Sequence, residues 1–89
     1  MVKIIKNAPA GKEFVFRLPN GTEVGKAKNI VELAQVIRDA PLASLVFHAK
    51  GKHFAPWLDM LGEREAAAKI AGTVFNDQTV RVALLRCLK

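Results

Sequence analysis

Apolar and polar residues change their rhythm several times along this chain, and each rhythm predicts a different element. From Glu13 to Leu18 the order is E-F-V-F-R-L. Phe14, Phe16 and Leu18 alternate with Val15 and Arg17, the period-two pattern of a half-buried strand. Pro19-Asn20-Gly21 follows. Proline presets a turn and Asn-Gly accepts positive φ, so a hairpin is expected. Thr22 to Ala27 is its return strand, with Val24 toward the core, Glu23 outward and Gly25 at a bulge or bend. Upstream, Val2, Ile4 and Ile5 among lysines predict a short first strand or ordered arm, broken by Ala8-Pro9-Ala10-Gly11.

The rhythm then becomes helical. Ile30, Leu33, Ala34 and Ile37 fall at i, i+3, i+4, i+7, one apolar face. Asn29 is placed to cap this helix, with Glu32 three residues on as in a capping box, and Pro41 stops it. Ser44 to Ala49 (S-L-V-F-H-A) is a short apolar run rich in strand formers and predicts a third strand. Beyond the loop Lys50-Gly51-Lys52, the residues Phe54, Trp57, Leu58 and Leu61 repeat the helical stripe. Pro56 is tolerated only in a first turn, so that helix starts near His53 or Phe54, and Gly62 ends it in a left-handed conformation. The alanine-rich stretch Glu63 to Ala71 predicts another short helix, closed by Gly72. Thr79 to Leu88 alternates partly like a strand. A helix is favoured there, because Val80, Leu84, Cys87 and Leu88 share a helical face and Asn76 or Asp77 can cap it.

The order is strand, hairpin, helix, strand, then three short helices. It implies one α+β domain over residues 1–89, with a small antiparallel sheet (the hairpin plus one or two further strands) covered by three to four short helices. Repeats, low-complexity tracts and linkers are not evident.

Composition agrees with a folded domain. Apolar residues make up 51% and charged residues 25% of the 89 positions. A chain this short buries only about 60–65% of its unfolded surface, which limits its core. With one cysteine, Cys87, no intrachain disulfide can form, and a reducing setting is the natural expectation. The N-terminal apolar run is interrupted by lysines, too short for a signal peptide or a span of about 20 apolar residues. A cytoplasmic protein without a membrane partner is expected.

Charge adds a hint about partners. Fourteen Lys/Arg face eight Asp/Glu, for a formal net charge of +6. Residues 1–52 carry +5 of it and residues 53–89 only +1. Such asymmetry points to an anionic partner, of which nucleic acid is the commonest. The competing reading is a small protein that keeps net charge for solubility.

Specific chemistry finds little support. His48 and His53 are five apart, but zinc needs three or four ligands, the nearest further candidates are Asp59 and the distant Cys87, and the flanking lysines repel a cation. The expectation is that both histidines are structural, His48 hydrogen-bonded at a strand end and His53 ordering the next helix. Ser44 has no G-x-S-x-G context, and Cys87 on an apolar face behaves as a small hydrophobe. Dinucleotide and phosphate-loop glycine patterns do not occur. Phe14, Phe16, Phe47, Phe54 and Trp57 read as core. Helix–Gly–helix over 53–71 has helix-turn-helix spacing, but its second helix mixes two acids with two bases, a poor reader of a major groove. No catalytic residue, cofactor or metal is expected. The candidates that stand are basic: Arg17, Lys26, Lys28, Lys50 and Lys52, with His53 at a helix N-terminus where backbone N–H groups attract phosphate.

Phe14-Val15-Phe16, Asn29-Ile30-Val31-Glu32-Leu33, Phe47-His48, His53-Phe54-Ala55-Pro56-Trp57-Leu58 and Leu61-Gly62-Glu63 followed by Ala67 form a further pattern. Over roughly residues 14–71 it resembles a group of small archaeal and bacterial domains of unknown function. Their motif continues from F-H as N-D/H-F-x-x-W, then L-G-D/E-x-x-x-A. The chain departs from it at Lys52, where the group tends to have asparagine. The resemblance implies a shared domain boundary, but no activity and no site residues. The expectation is therefore a non-enzymatic basic domain that binds nucleic acid through phosphates. The alternative is a module that binds a protein partner or self-associates, through the first strand or the last helix.

Overall fold

The computed structural model describes residues 6–88. The strand or arm expected at Val2, Ile4 and Ile5 lies outside them. The fold is α+β. Among the described residues, β1 (Phe14–Arg17) and β2 (Glu23–Ala27) form an antiparallel hairpin, and five helices follow: α1 (Ile30–Asp39), α2 (Leu42–Lys50), α3 (Phe54–Leu61), α4 (Arg64–Ala71) and α5 (Val80–Cys87).

The hairpin turns at Pro19-Asn20-Gly21, where Gly21 donates to the Leu18 carbonyl. Its register pairs Phe14 with Ala27, Val15 with Lys26, Phe16 with Gly25 and Arg17 with Glu23, and a bulge separates the last two pairs. Alternation puts Phe14 and Phe16 into the core and leaves Arg17 exposed. The bulge matters for the site, because the Arg17 N–H turns to a helix for its acceptor.

α1 begins as its sequence dictates. Asn29 Oδ1 accepts from the Glu32 N–H at 2.8 Å, and Glu32 reaches back to the Lys28 N–H at 3.0 Å. Asn29 is itself buried and donates to Asn7 Oδ1 at 2.9 Å, which ties the chain before the hairpin to the start of α1. Replacing Asn29 with Ala is expected to destabilise the fold by about 1–2 kcal/mol, read by urea denaturation. An unchanged midpoint would contradict the capping role.

One expected element differs. Residues 44–49 are not a third strand but lie inside α2. A strand would place Ser44, Val46 and His48 on one face. The structure instead buries Ser44, Leu45 and His48 together, at helical spacing. Pro41 ends α1 but also starts α2: its carbonyl accepts from the N–H groups of Ser44 and Leu45. The apolar run therefore faces two neighbours, β1 on one side and α5 on the other.

α3 and α4 form a tight helical hairpin around Gly62, whose φ of 83° only glycine adopts without strain. The last segment is helical, as favoured. Its cap position is Thr79 rather than Asn76 or Asp77. Asn76 instead accepts from the Gln78 N–H in a turn just before the helix.

Phe16, Leu33, Ile37, Leu45, Phe54, Leu58, Val80 and Leu84 are fully buried, so every element except α4 and β2 places a large side chain at the centre. The ring of Phe14 stacks on Phe54 at 4.8 Å and meets the edge of Phe16 at 4.8 Å. Trp57 and Phe47 are only half-buried. The Trp57 indole packs against the core and donates to the Lys12 carbonyl at 2.7 Å. Phe47 lies against the rings of His48 and His53.

Candidate functional site

The most structured polar feature is where the end of β1 meets the turn between α2 and α3. His48 is 4% exposed, on the inner face of α2. Its Nε2 accepts the Arg17 N–H at 2.9 Å. A backbone N–H can only donate, so Nε2 carries no proton in the neutral ring. The proton sits on Nδ1, 2.9 Å from Nδ1 of His53. His53 Nδ1 must then accept, and this network assigns its own proton to Nε2. The result is a one-way chain of donors: Arg17 N–H to His48, His48 to His53.

Burial holds the His48 imidazole well below its ordinary range, at about 4, with the charges of His53 and Arg17 adding to the effect. His48 therefore works as a neutral connector from strand to helix.

His53 occupies the N-cap position of α3, yet its side chain makes no capping bond and goes to His48 instead. Gly51 makes this arrangement fit: a Cβ there would run into the His53 ring. The next residue, Lys52, has a φ of 56°, a left-handed conformation that glycine and asparagine adopt more easily than lysine. The turn Lys50-Gly51-Lys52 is thus bent around the His53 ring.

The basic candidates separate into two groups. Arg17, Lys50, Lys52 and His53 gather near the α2–α3 turn. Arg17 extends along the hairpin and donates to the Gly21 carbonyl at 3.1 Å. Lys50 lies 3.6 Å from Asp77, across from the segment that precedes α5. The Lys52 ammonium has no partner among the described residues. Lys26 and Lys28 belong to the other side, on or just after β2, where α1 packs. Lys26 pairs with Glu23 at 3.9 Å and Lys28 with Glu32 at 4.0 Å.

Two concavities flank the turn. The deeper one, about 580 Å³, runs between α2, α3, the end of α4 and the segment 73–77. A shallower one lies over Pro19, Leu42, Phe47 and His53. Sequence reading did not find either. The helical form of residues 42–50 shapes both: Val46 and Lys50 border the two concavities, and Phe47 lines the shallower one.

Among the described residues, no group of three His, Cys, Asp or Glu side chains could hold an ion. Cys87 is buried on α5 beside the Thr73 hydroxyl, 3.5 Å away. No helix is long and apolar enough to cross a membrane. No family model, curated protein or solved structure matches the chain.

Proposed function

We propose that the protein is a non-enzymatic binding module that holds nucleic acid through its phosphates. The contact surface is Arg17, Lys50, Lys52 and His53 at the α2–α3 turn, with Lys26 and Lys28, on or just after β2, as a second and separate basic group. One observation supports the reading above the rest: Arg17, remote in sequence, comes beside Lys50, Lys52 and His53 at the α2–α3 turn, and Lys52 has no counter-charge beside it among the described residues. The ion pairs of the other lysines do not oppose it. At 3.6–4.0 Å between exposed side chains they contribute about 0–1 kcal/mol each and yield readily to phosphate.

Binding of this kind is salt-sensitive and weakly sequence-specific. With roughly four to six phosphate contacts, log K against log salt concentration will fall with a slope of about −3 to −5, measured by anisotropy on random duplex and single-stranded oligonucleotides. Lys52→Ala will reduce the slope by about 1. Absence of binding at low salt sinks the proposal.

The resemblance to small archaeal and bacterial domains belongs to the same proposal. The residues that carry it here are builders: Asn29 caps, Phe14, Phe16, Leu33, Phe54 and Leu58 fill the core, His48 joins helix to strand, and Gly62 turns. A pattern made of such residues marks a fold rather than a reaction. Asparagine in place of Lys52 would suit a position with positive φ.

A second reading, self-association, rests on Val82. It lies on α5 with 53% of its surface exposed, where a partner copy would cover it. Light scattering separates the two readings: a stable oligomer indifferent to nucleic acid favours the second.

A further inference from the structure

We propose that the 580 Å³ cleft binds a small amphipathic anion: an aliphatic body of medium acyl length with a single carboxylate head. The volume lies within the usual range of small-molecule sites, roughly 300–1,000 Å³. Its walls are Val46, Phe54, Ile70, Phe75 and Val80. Phe54 and Val80 belong to the fully buried core, so the floor of the cleft is fixed by packing.

Most of the polar side-chain atoms inside are already engaged, the Asn76 amide N–H groups excepted. Both His48 nitrogens have partners, the Thr73 hydroxyl donates to the Lys69 carbonyl, and Asn76 Oδ1 accepts from Gln78. An aliphatic chain asks nothing of such walls. A nucleobase would leave its hydrogen-bonding edge unsatisfied there, at a cost of about 1–3 kcal/mol per group. The cleft therefore fits a ligand distinct from nucleic acid, and the proposal stands whether or not nucleic acid binds.

Charge at the lip selects the head group. Lys50, Lys52 and Asp77 line it. Asp77 offsets one lysine through its contact with Lys50. Among the described residues the Lys52 ammonium is left over, so the lip they form carries one net positive charge and complements a monoanion. A neutral alcohol would gain the walls but not the lip, and a cationic amphiphile would be repelled.

Titration with sodium decanoate below its micelle concentration tests this, followed by calorimetry and backbone amide shifts, with decanol and decyltrimethylammonium as comparisons. The expected result is saturable one-to-one binding of decanoate, with shifts confined to the cleft walls. The double variant Lys50→Glu, Lys52→Glu should weaken decanoate by about tenfold or more, since charge-assisted hydrogen bonds contribute roughly 1.5–3 kcal/mol. Ala71→Trp, at an exposed cleft-lining position, should abolish binding while leaving the thermal midpoint in place. If Ala71→Trp disturbs folding, the charge variant and the decanol comparison still decide. The proposal is overturned if decanol binds as tightly as decanoate, if shifts appear away from the cleft, if binding does not saturate, or if dilution shows a second copy of the chain occupying the cleft.

Discussion

Acidification from pH 7 to pH 4 will destabilise this protein by roughly 3 kcal/mol through His48 alone. In the folded state its imidazole titrates at about 4, against an ordinary value of 6.5. Burial is the main cause, with the charges of His53 and Arg17 behind it. Between these two values the unfolded chain binds a proton that the folded chain does not. The stabilisation is thus complete above pH 6.5, lost progressively down to about pH 4, and constant below. Geometry gives the same direction. A second proton on His48 must go to Nε2, which faces the Arg17 N–H, and two donors would then oppose each other. His48→Gln keeps an acceptor for Arg17 but has nothing to titrate. Its urea midpoint should be lower than that of the natural chain at pH 7 and fall less between pH 6.5 and 4. Parallel pH profiles for the two proteins would refute the assignment.

Phe54→Ala will be the most damaging single core truncation, with a loss of about 3–5 kcal/mol. Phe54 is 1% exposed and stacks on Phe14, with Phe16 and His48 close to its ring. Its removal opens a cavity where strand, α2 and α3 meet, and the stacked Phe14 cannot follow without breaking the hairpin register. A small domain has about 5–15 kcal/mol of total stability, so the variant should lie near its unfolding threshold at room temperature. Phe47→Ala makes a good control. Phe47 is half-buried and touches histidine rings rather than the apolar core, so it should cost well under half as much. Equal urea midpoints for the two variants would mean that the core is not centred on Phe54.

The contrast between Phe47 and Phe54 also measures what the sequence could reveal. Elements with two agreeing signals were legible. α1 had a cap, a back-reaching acid and a clean stripe, and the hairpin had alternation on both sides of Pro-Asn-Gly. Gly62 had a stripe ending at it. The segment 42–50 had one signal only, an apolar run, and such a run does not distinguish a buried strand from a short buried helix. What decides is Pro41, whose carbonyl begins the helix, together with the neighbours β1 and α5, which no local pattern announces. The same miss hid the site. With His48 on a strand, its bond to Arg17 and its pairing with His53 could not be foreseen. Only on a helix does the ring project from α2 toward the end of β1. The cleft was illegible for a similar reason, since α2, α3, α4 and the segment before α5 each contribute a small part of its wall. The basic residues were legible as types, but their division into two groups follows from tertiary packing.

The bond from the Trp57 indole to the Lys12 carbonyl has a practical consequence. This is the chain's single tryptophan, and its N–H holds the segment that leads into the hairpin. Its fluorescence therefore reports the docking of that segment as well as the melting of the whole domain. A shift in emission that precedes the loss of far-ultraviolet circular dichroism would mark a state in which the leading segment has come away while the helices persist. The molecule thus carries its own optical probe for the docking of that segment.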